Sequence, residues 1–231
     1  MRSTEAPIPA PKHQATKLQA PKFRTPRLDQ LEIGSAAELQ RTGQGDHLIL
    51  QDADLTGVDL SGGRLTECRL RSVTLAEADL SAASVAESHW ERVSAPHLKA
   101  PRSTWRDVVI EASRFGVAEL YETGITGLVL RGCKLDLVNL RSAVLSDVLL
   151  ENCTITELDI SGALATRMKF SECTVETLEV GHARFKDVDL RGAQLSRIVG
   201  LSGLKGAVIS EEQLVQLAPS LAEHLGLVLA G

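Results

Sequence analysis

Every fifth residue from Leu50 to Leu195 is apolar, through thirty consecutive positions without a slip of register. A helix repeats its apolar face every 3.6 residues and a half-buried strand every two, so neither accounts for this spacing. A chain with a period of five must turn a corner at each repeat. The position two residues earlier repeats as well, with Ala53, Val58, Gly63, Cys68, Val73, Ala78 and Ala83 all small. Two positions of each five therefore face inward and three face out, and such a chain closes a core only by stacking one turn on the next.

Between these inward positions stand Asp54, Asp59 and Asp79, which makes the units A-D/N-L-x-x: Ala53-Asp54-Leu55-Thr56-Gly57, Ala78-Asp79-Leu80-Ser81-Ala82 and Val188-Asp189-Leu190-Arg191-Gly192. The chain resembles the pentapeptide-repeat family over residues 46–200. The resemblance implies an all-β solenoid, a right-handed quadrilateral β-helix in which four pentapeptides make one coil. About eight coils, separated by the strand spacing of about 4.8 Å, give a column roughly 37 Å long. Residues twenty apart then stack, and one inward column reads Leu50, Leu70, Trp90, Ile110, Leu130, Leu150, Phe170, Leu190. Trp90 and Trp105 fall in one coil with Ala95 and Ala100 between them, which reads as volume compensation in a close-packed interior. Pro96 and Pro101 fall at corners of that coil, where a fixed φ suits a turn and leaves room for a bulge.

The two ends differ from the middle. Residues 1–30 carry five prolines, at 7, 9, 11, 21 and 26, with Lys12, Lys17, Lys22, Arg24 and Arg27. This composition builds no core and predicts a disordered basic tail, a solvated linker or a contact with acidic groups, those of its own solenoid included. Residues 31–45 are expected to lead into and cover the first coil. In residues 201–231, Ser210 and Gln213 form a capping box that starts a short α-helix at Glu211, and Pro219 interrupts it. Its apolar face, Leu214, Leu217, Leu221 and Leu225, would either close the last coil or meet a second copy of the chain. The resemblance favours a homodimer, since related proteins pair through C-terminal segments.

Catalysis finds no support in the sequence. The six histidines are scattered, and no nucleophile motif, phosphate-binding glycine loop or metal-ligand spacing is present. Cys68, Cys133, Cys153 and Cys173 all take the inward position where alanine stands elsewhere; the last three would stack in line, but no C-x-x-C accompanies them, and a metal is not expected. No catalytic residue, cofactor or metal site is assigned. No apolar run is long enough to span a membrane, and a bacterial, cytoplasmic location is the default.

Function is therefore sought on the outward positions. Val109, Val129, Val144, Leu149 and Leu164 stand where the repeat ordinarily carries a polar group, and their spacing gathers them around one corner as a surface for a protein partner of unknown identity. Strand preference alone would also select valine there. A second set is acidic: Glu67, Glu87, Asp107, Asp147 and Asp187 in one column, broken by Gly127 and Arg167, and Asp59, Asp79, Glu119, Asp159 and Glu179 in another. Water and arginines such as Arg64, Arg69, Arg92 and Arg184 would screen them, or a cationic partner would. Some relatives in the resembled family imitate duplex DNA and bind DNA gyrase, which makes gyrase the alternative partner. Residues 46–200 hold 17 Lys and Arg against 23 Asp and Glu, a net of −6, which is modest for a rod imitating phosphates. Direct binding to nucleic acid is not expected.

Overall fold

The five-residue period becomes a coil because each repeat ends in a left-handed corner. In the computed structural model, which describes residues 18–228, the second outward residue of the early repeats has positive φ at Asp52, Gly57, Gly62, Glu67, Ser72, Glu77, Ala82, Glu87 and Arg92. This backbone costs a non-glycine residue about 1–2 kcal/mol. The cost is offset because the corner N–H then points along the axis: Asp52 donates to the Arg71 carbonyl at 3.0 Å and Glu67 to that of Ala86 at 3.0 Å.

Backbone pairing between coils is parallel, twenty residues apart through the repeats and sixteen and nineteen apart at the first and last rungs. One ladder runs Ile33, Ile49, Arg69, His89, Val109, Val129, Leu149, Lys169, Asp189 and Val208. The solenoid thus has about nine turns, and rungs without the repeat sequence are added at both ends, by Glu32–Ile33 and Ala207–Val208. The strands form a 13-stranded and a 7-stranded sheet.

From the rung at Ser94–Lys99 onward, strands run through one corner without a break, as in Arg114–Glu119 and Lys134–Asn139. At that corner His97, Val117, Leu137, Glu157 and Thr177 lack positive φ. Two of these are β-branched and avoid the left-handed region. Pro96 therefore lies inside a strand, while Pro101 sits in a turn.

The inward positions form one continuous core. Trp90 and Trp105 meet edge to face, with ring centroids 5.1 Å apart. Ala95 and Ala100 are fully buried beside them, as the volume argument requires. The Trp105 Nε1 donates to Ser103 Oγ at 2.8 Å, whereas Trp90 Nε1 is buried without an acceptor.

Both ends are covered. Helix α1 (Ala36–Thr42), capped by Ser35 and stopped by Gly43 in the left-handed conformation, buries Leu39 in the core. Helix α2 (Glu211–His224) starts at the expected capping box and contains Pro219. Its Gln213 Nε2 donates to the carbonyls of Leu190 and Ala193, each at 2.7 Å, and so ties the helix to the last coil.

Of the alternatives that their composition leaves, residues 18–30 take the contact with acidic groups of their own solenoid rather than the solvated linker. They contain no helix or strand, yet they run along the outside of the solenoid from its C-terminal end toward its first coil. Residues 1–17 of the predicted tail lie outside the described residues.

Candidate interaction surfaces

The extended segment lies on the first acidic column. The Gln19 N–H donates to Asp187 Oδ1 at 3.2 Å, Lys22 N–H to Asp147 Oδ1 at 2.8 Å, and Arg24 N–H to Asp107 Oδ1 at 3.3 Å. Farther along, Arg24 and Arg27 line a cleft with Glu87 and Asp107. The chain direction is opposite to coil order, so the segment crosses the rungs as a strap. Gly127 stands between Asp107 and Asp147 in this column, and a Cβ there would come within 2.6 Å of Asp107 Oδ1. A side chain there would displace the carboxylate oxygen that accepts the Arg24 N–H.

Asp147 is the most deeply set of these carboxylates, at 6% exposure. Arg167 grips it with two hydrogen bonds of 2.6 Å, and this bidentate pair, with the Lys22 N–H, holds the carboxyl below the usual range. Charge along the column is balanced in this way rather than left as a bare acidic stripe. Glu87 pairs with Arg106 at 2.8 Å and Glu67 meets His47 at 2.8 Å.

The second acidic column has a local role at its best-defined positions. Asp59, Asp79 and Asp159 each accept the N–H two residues on, from Ser61, Ser81 and Ser161 at 2.9, 2.8 and 2.8 Å. These are Asx turns that fix the corner. Ser61 in turn holds the Asp59 carboxyl below its ordinary pKa. Asp159 also pairs with Arg141 at 3.0 Å. Glu119 binds His97 Nε2 at 2.6 Å while Glu77 takes Nδ1 at 3.1 Å, which raises the imidazole pKa, chiefly through Glu119. Glu179 pairs in register with Asp159 on the adjacent rung. Among the described residues, the arginines in ion pairs with these columns are Arg106, Arg141 and Arg167; Arg92 pairs with Glu91 instead, and Arg64, Arg69 and Arg184 form none.

The five outward apolar residues stack as their spacing requires, but they are not one exposed surface. Val109, Val129 and Leu149 are successive ladder partners, and Val144 pairs with Leu164. Val129 is buried at 2% exposure, which removes it from any free face. Phe23 and Pro26 of the strap share a cleft with Val109, Val129 and His89. A sequence pattern marks a position as outward from its own coil without showing what lies over it. Val144 and Leu164 remain open, at 52% and 44% exposure.

The apolar face of α2 is also divided. Gln213 and Leu217 are the buried positions, Leu221 is half-buried, and Leu214 and Leu225 are exposed at 48% and 72%. The helix is rotated relative to the expected leucine stripe because Gln213, a polar residue, makes the decisive contact with the last coil.

The four cysteines are unpaired and buried. Cys153 Sγ donates to the carbonyls of Glu151 and Leu130, at 3.4 and 3.5 Å, and Cys173 Sγ to that of Ser171 at 3.4 Å. Burial pushes the Cys68 thiol up to about 12, and the neighbouring Cys133 helps push Cys153 up to about 11. Such thiols stay protonated and are poor nucleophiles. No helix among the described residues is long and apolar enough to cross a membrane.

The architecture defines a parallel β-solenoid with a helix at each end. Residues 49–85 match the family model for pentapeptide repeats, with eight copies. Among solved structures it is similar to a trypsin-treated form of QnrB1, a plasmid-mediated fluoroquinolone resistance protein, at 18% identity over 82% of this chain and 93% of the other, with a TM-score of 0.33. It is also similar to HetL, a pentapeptide-repeat protein involved in heterocyst differentiation regulation from the cyanobacterium Nostoc sp. strain PCC 7120, at 17% identity over 78% of this chain and 98% of the other, with a TM-score of 0.28. No curated protein matches the chain.

Proposed function

We propose that this protein is a non-enzymatic interaction module of the bacterial cytoplasm, presenting a rigid β-helical face to a protein partner or to its own copy. The observation that carries this reading is the open pair Val144 and Leu164, ladder partners on adjacent rungs with half of each side chain in water. Apolar groups held on a sheet whose corners are fixed by hydrogen bonds lose little entropy on association, which favours docking. Leu149, half-buried on the adjoining face, extends the strip. Leu214 and Leu225 on α2 offer a second apolar surface suited to a homodimer contact.

The alternative is a DNA mimic that binds DNA gyrase. It would need the acidic columns free to act as phosphates. Asp107, Asp147 and Asp187 instead accept strap amides, and Asp59, Asp79 and Asp159 fasten corners. The full chain, titrated at micromolar concentration into a gyrase supercoiling reaction, is expected to leave supercoiling unchanged. Inhibition that disappears with Glu87→Lys or Asp107→Lys would favour mimicry instead.

A further inference from the structure

We propose that the acidic track beneath the strap is a docking site for an extended, cationic, proline-containing segment of a partner protein, and that residues 18–30 occupy it in cis until such a segment displaces them. The inference is independent of the Val144–Leu164 strip. It starts from the bound segment itself, which shows what the track accepts.

Three carboxylates on the track take main-chain N–H groups of the strap, and Asp147 does so while it also holds the Arg167 guanidinium. Main-chain recognition is indifferent to sequence, so it gives affinity for any extended chain. Selectivity comes from what lies beside the amides. Lys22, Arg24 and Arg27 bring positive charge to a column containing Glu87, Asp107, Asp147 and Asp187. Phe23 and Pro26 line a cleft in which Val109 and Val129 stand beside His89, Glu111 and Arg131. A fitting ligand therefore carries alternating cationic and apolar residues and at least one proline.

The spacing is also suited to extended peptide. From Gln19 to Arg24 the strap passes from Asp187 to Asp107, four rungs, or about 19 Å at the strand spacing. Five extended residues span about 17 Å, and aspartate side chains close the difference. The strap repeats itself at this interval: Ala20-Pro21-Lys22-Phe23-Arg24 is followed by Thr25-Pro26-Arg27-Leu28-Asp29. Each pentad places a small residue, a proline, a cation and an apolar residue in the same order, as a ligand matched to a repeating track would.

The strap is held by contacts that can be exchanged. Lys22, Phe23, Arg24 and Arg27 are all exposed, and the segment contributes no strand to either sheet. Being tethered, it competes at a high effective concentration, so a partner must bind more strongly than the strap or be held nearby. Occupancy in cis thus sets a threshold for the partner.

The test uses a fluorescent peptide of residues 18–30 and the full chain in two further forms. One carries Lys22→Glu, Phe23→Asp and Arg24→Glu, which weaken the strap and leave the track intact. The other adds Asp107→Ala and Asp187→Ala, and thermal unfolding confirms that both are folded. The peptide is expected to bind the strap-weakened chain at least tenfold more tightly than the wild type, to weaken as salt is raised, and to lose that binding when the two aspartates are removed. Equal binding to wild type and strap-weakened chain, no binding to either, or equal binding of a scrambled peptide of the same composition would overturn the proposal. A wild-type dimer in sedimentation that disappears with Asp107→Ala and Asp187→Ala would also overturn it, since the occupant would then be the strap of a second copy.

Discussion

Replacing Trp90 by alanine is expected to destabilise the protein by about 3–5 kcal/mol, the range for removing a buried aromatic side chain. Trp90 is fully buried and its ring packs edge to face on Trp105. The surrounding inward positions cannot fill the hole, because Ala95 and Ala100 are already the small partners that made room for two indoles. The coil above and the coil below are pinned by the backbone ladder through His89–Glu91 and Thr104–Glu111, so they cannot collapse toward the cavity. One opposing effect is the Trp90 N–H, buried without an acceptor, whose loss returns part of the cost. Chemical unfolding measures the change. A loss below about 1 kcal/mol would mean that this rung relaxes as packed interiors ordinarily do not.

The second large effect is expected at Gln213. In Gln213→Leu the backbone carbonyls of Leu190 and Ala193 lose the amide that both now share; that of Leu190 keeps the Ala193 N–H at 2.9 Å, so the loss falls chiefly on Ala193. Leaving a buried acceptor unpaired costs about 1–3 kcal/mol, so the docking of α2 should weaken by at least that much. The capping box is lost as well, because the Gln213 Oε1 accepts the Ser210 N–H at 2.8 Å. In a one-dimensional stack such damage stays near the end where it is made. Hydrogen exchange is therefore expected to rise by tenfold or more in Glu211–His224 and the last rung, with little change around Leu50 or Leu70. Uniform loss of protection through the whole solenoid would show that the end cap controls global stability instead.

What could be read in advance follows from what the period encodes. The unbroken apolar register from Leu50 to Leu195 fixes which side chains meet in the interior, and the rungs within it pair at the twenty-residue interval it implies. Local chemistry was equally legible at α2, where Ser210 and Gln213 form the expected reciprocal cap. At α1 the cues were present in Ser35, Glu38 and Gly43, although a helix of seven residues leaves too short a pattern to stand out. The strap was not legible in the same way. Its basic composition says that it builds no core and suits acidic groups, those of its own solenoid included, but its position depends on carboxylates more than eighty residues distant in sequence. Gly127 was the available signal, a gap in an acidic column where every neighbour carries a side chain. The same contact explains why Val129, outward by its place in the repeat, is not part of an open surface.

The face proposed to meet another protein is the Val144–Leu164 strip. A photo-crosslinking amino acid placed at position 164, in the full chain expressed in its host, tests this directly. The predicted result is a discrete crosslinked adduct, at twice the chain's mass for its own copy or at another defined mass for a partner, which is lost when Val144→Asp is added. Illumination that yields no adduct, or an adduct unaffected by Val144→Asp, would contradict the claim.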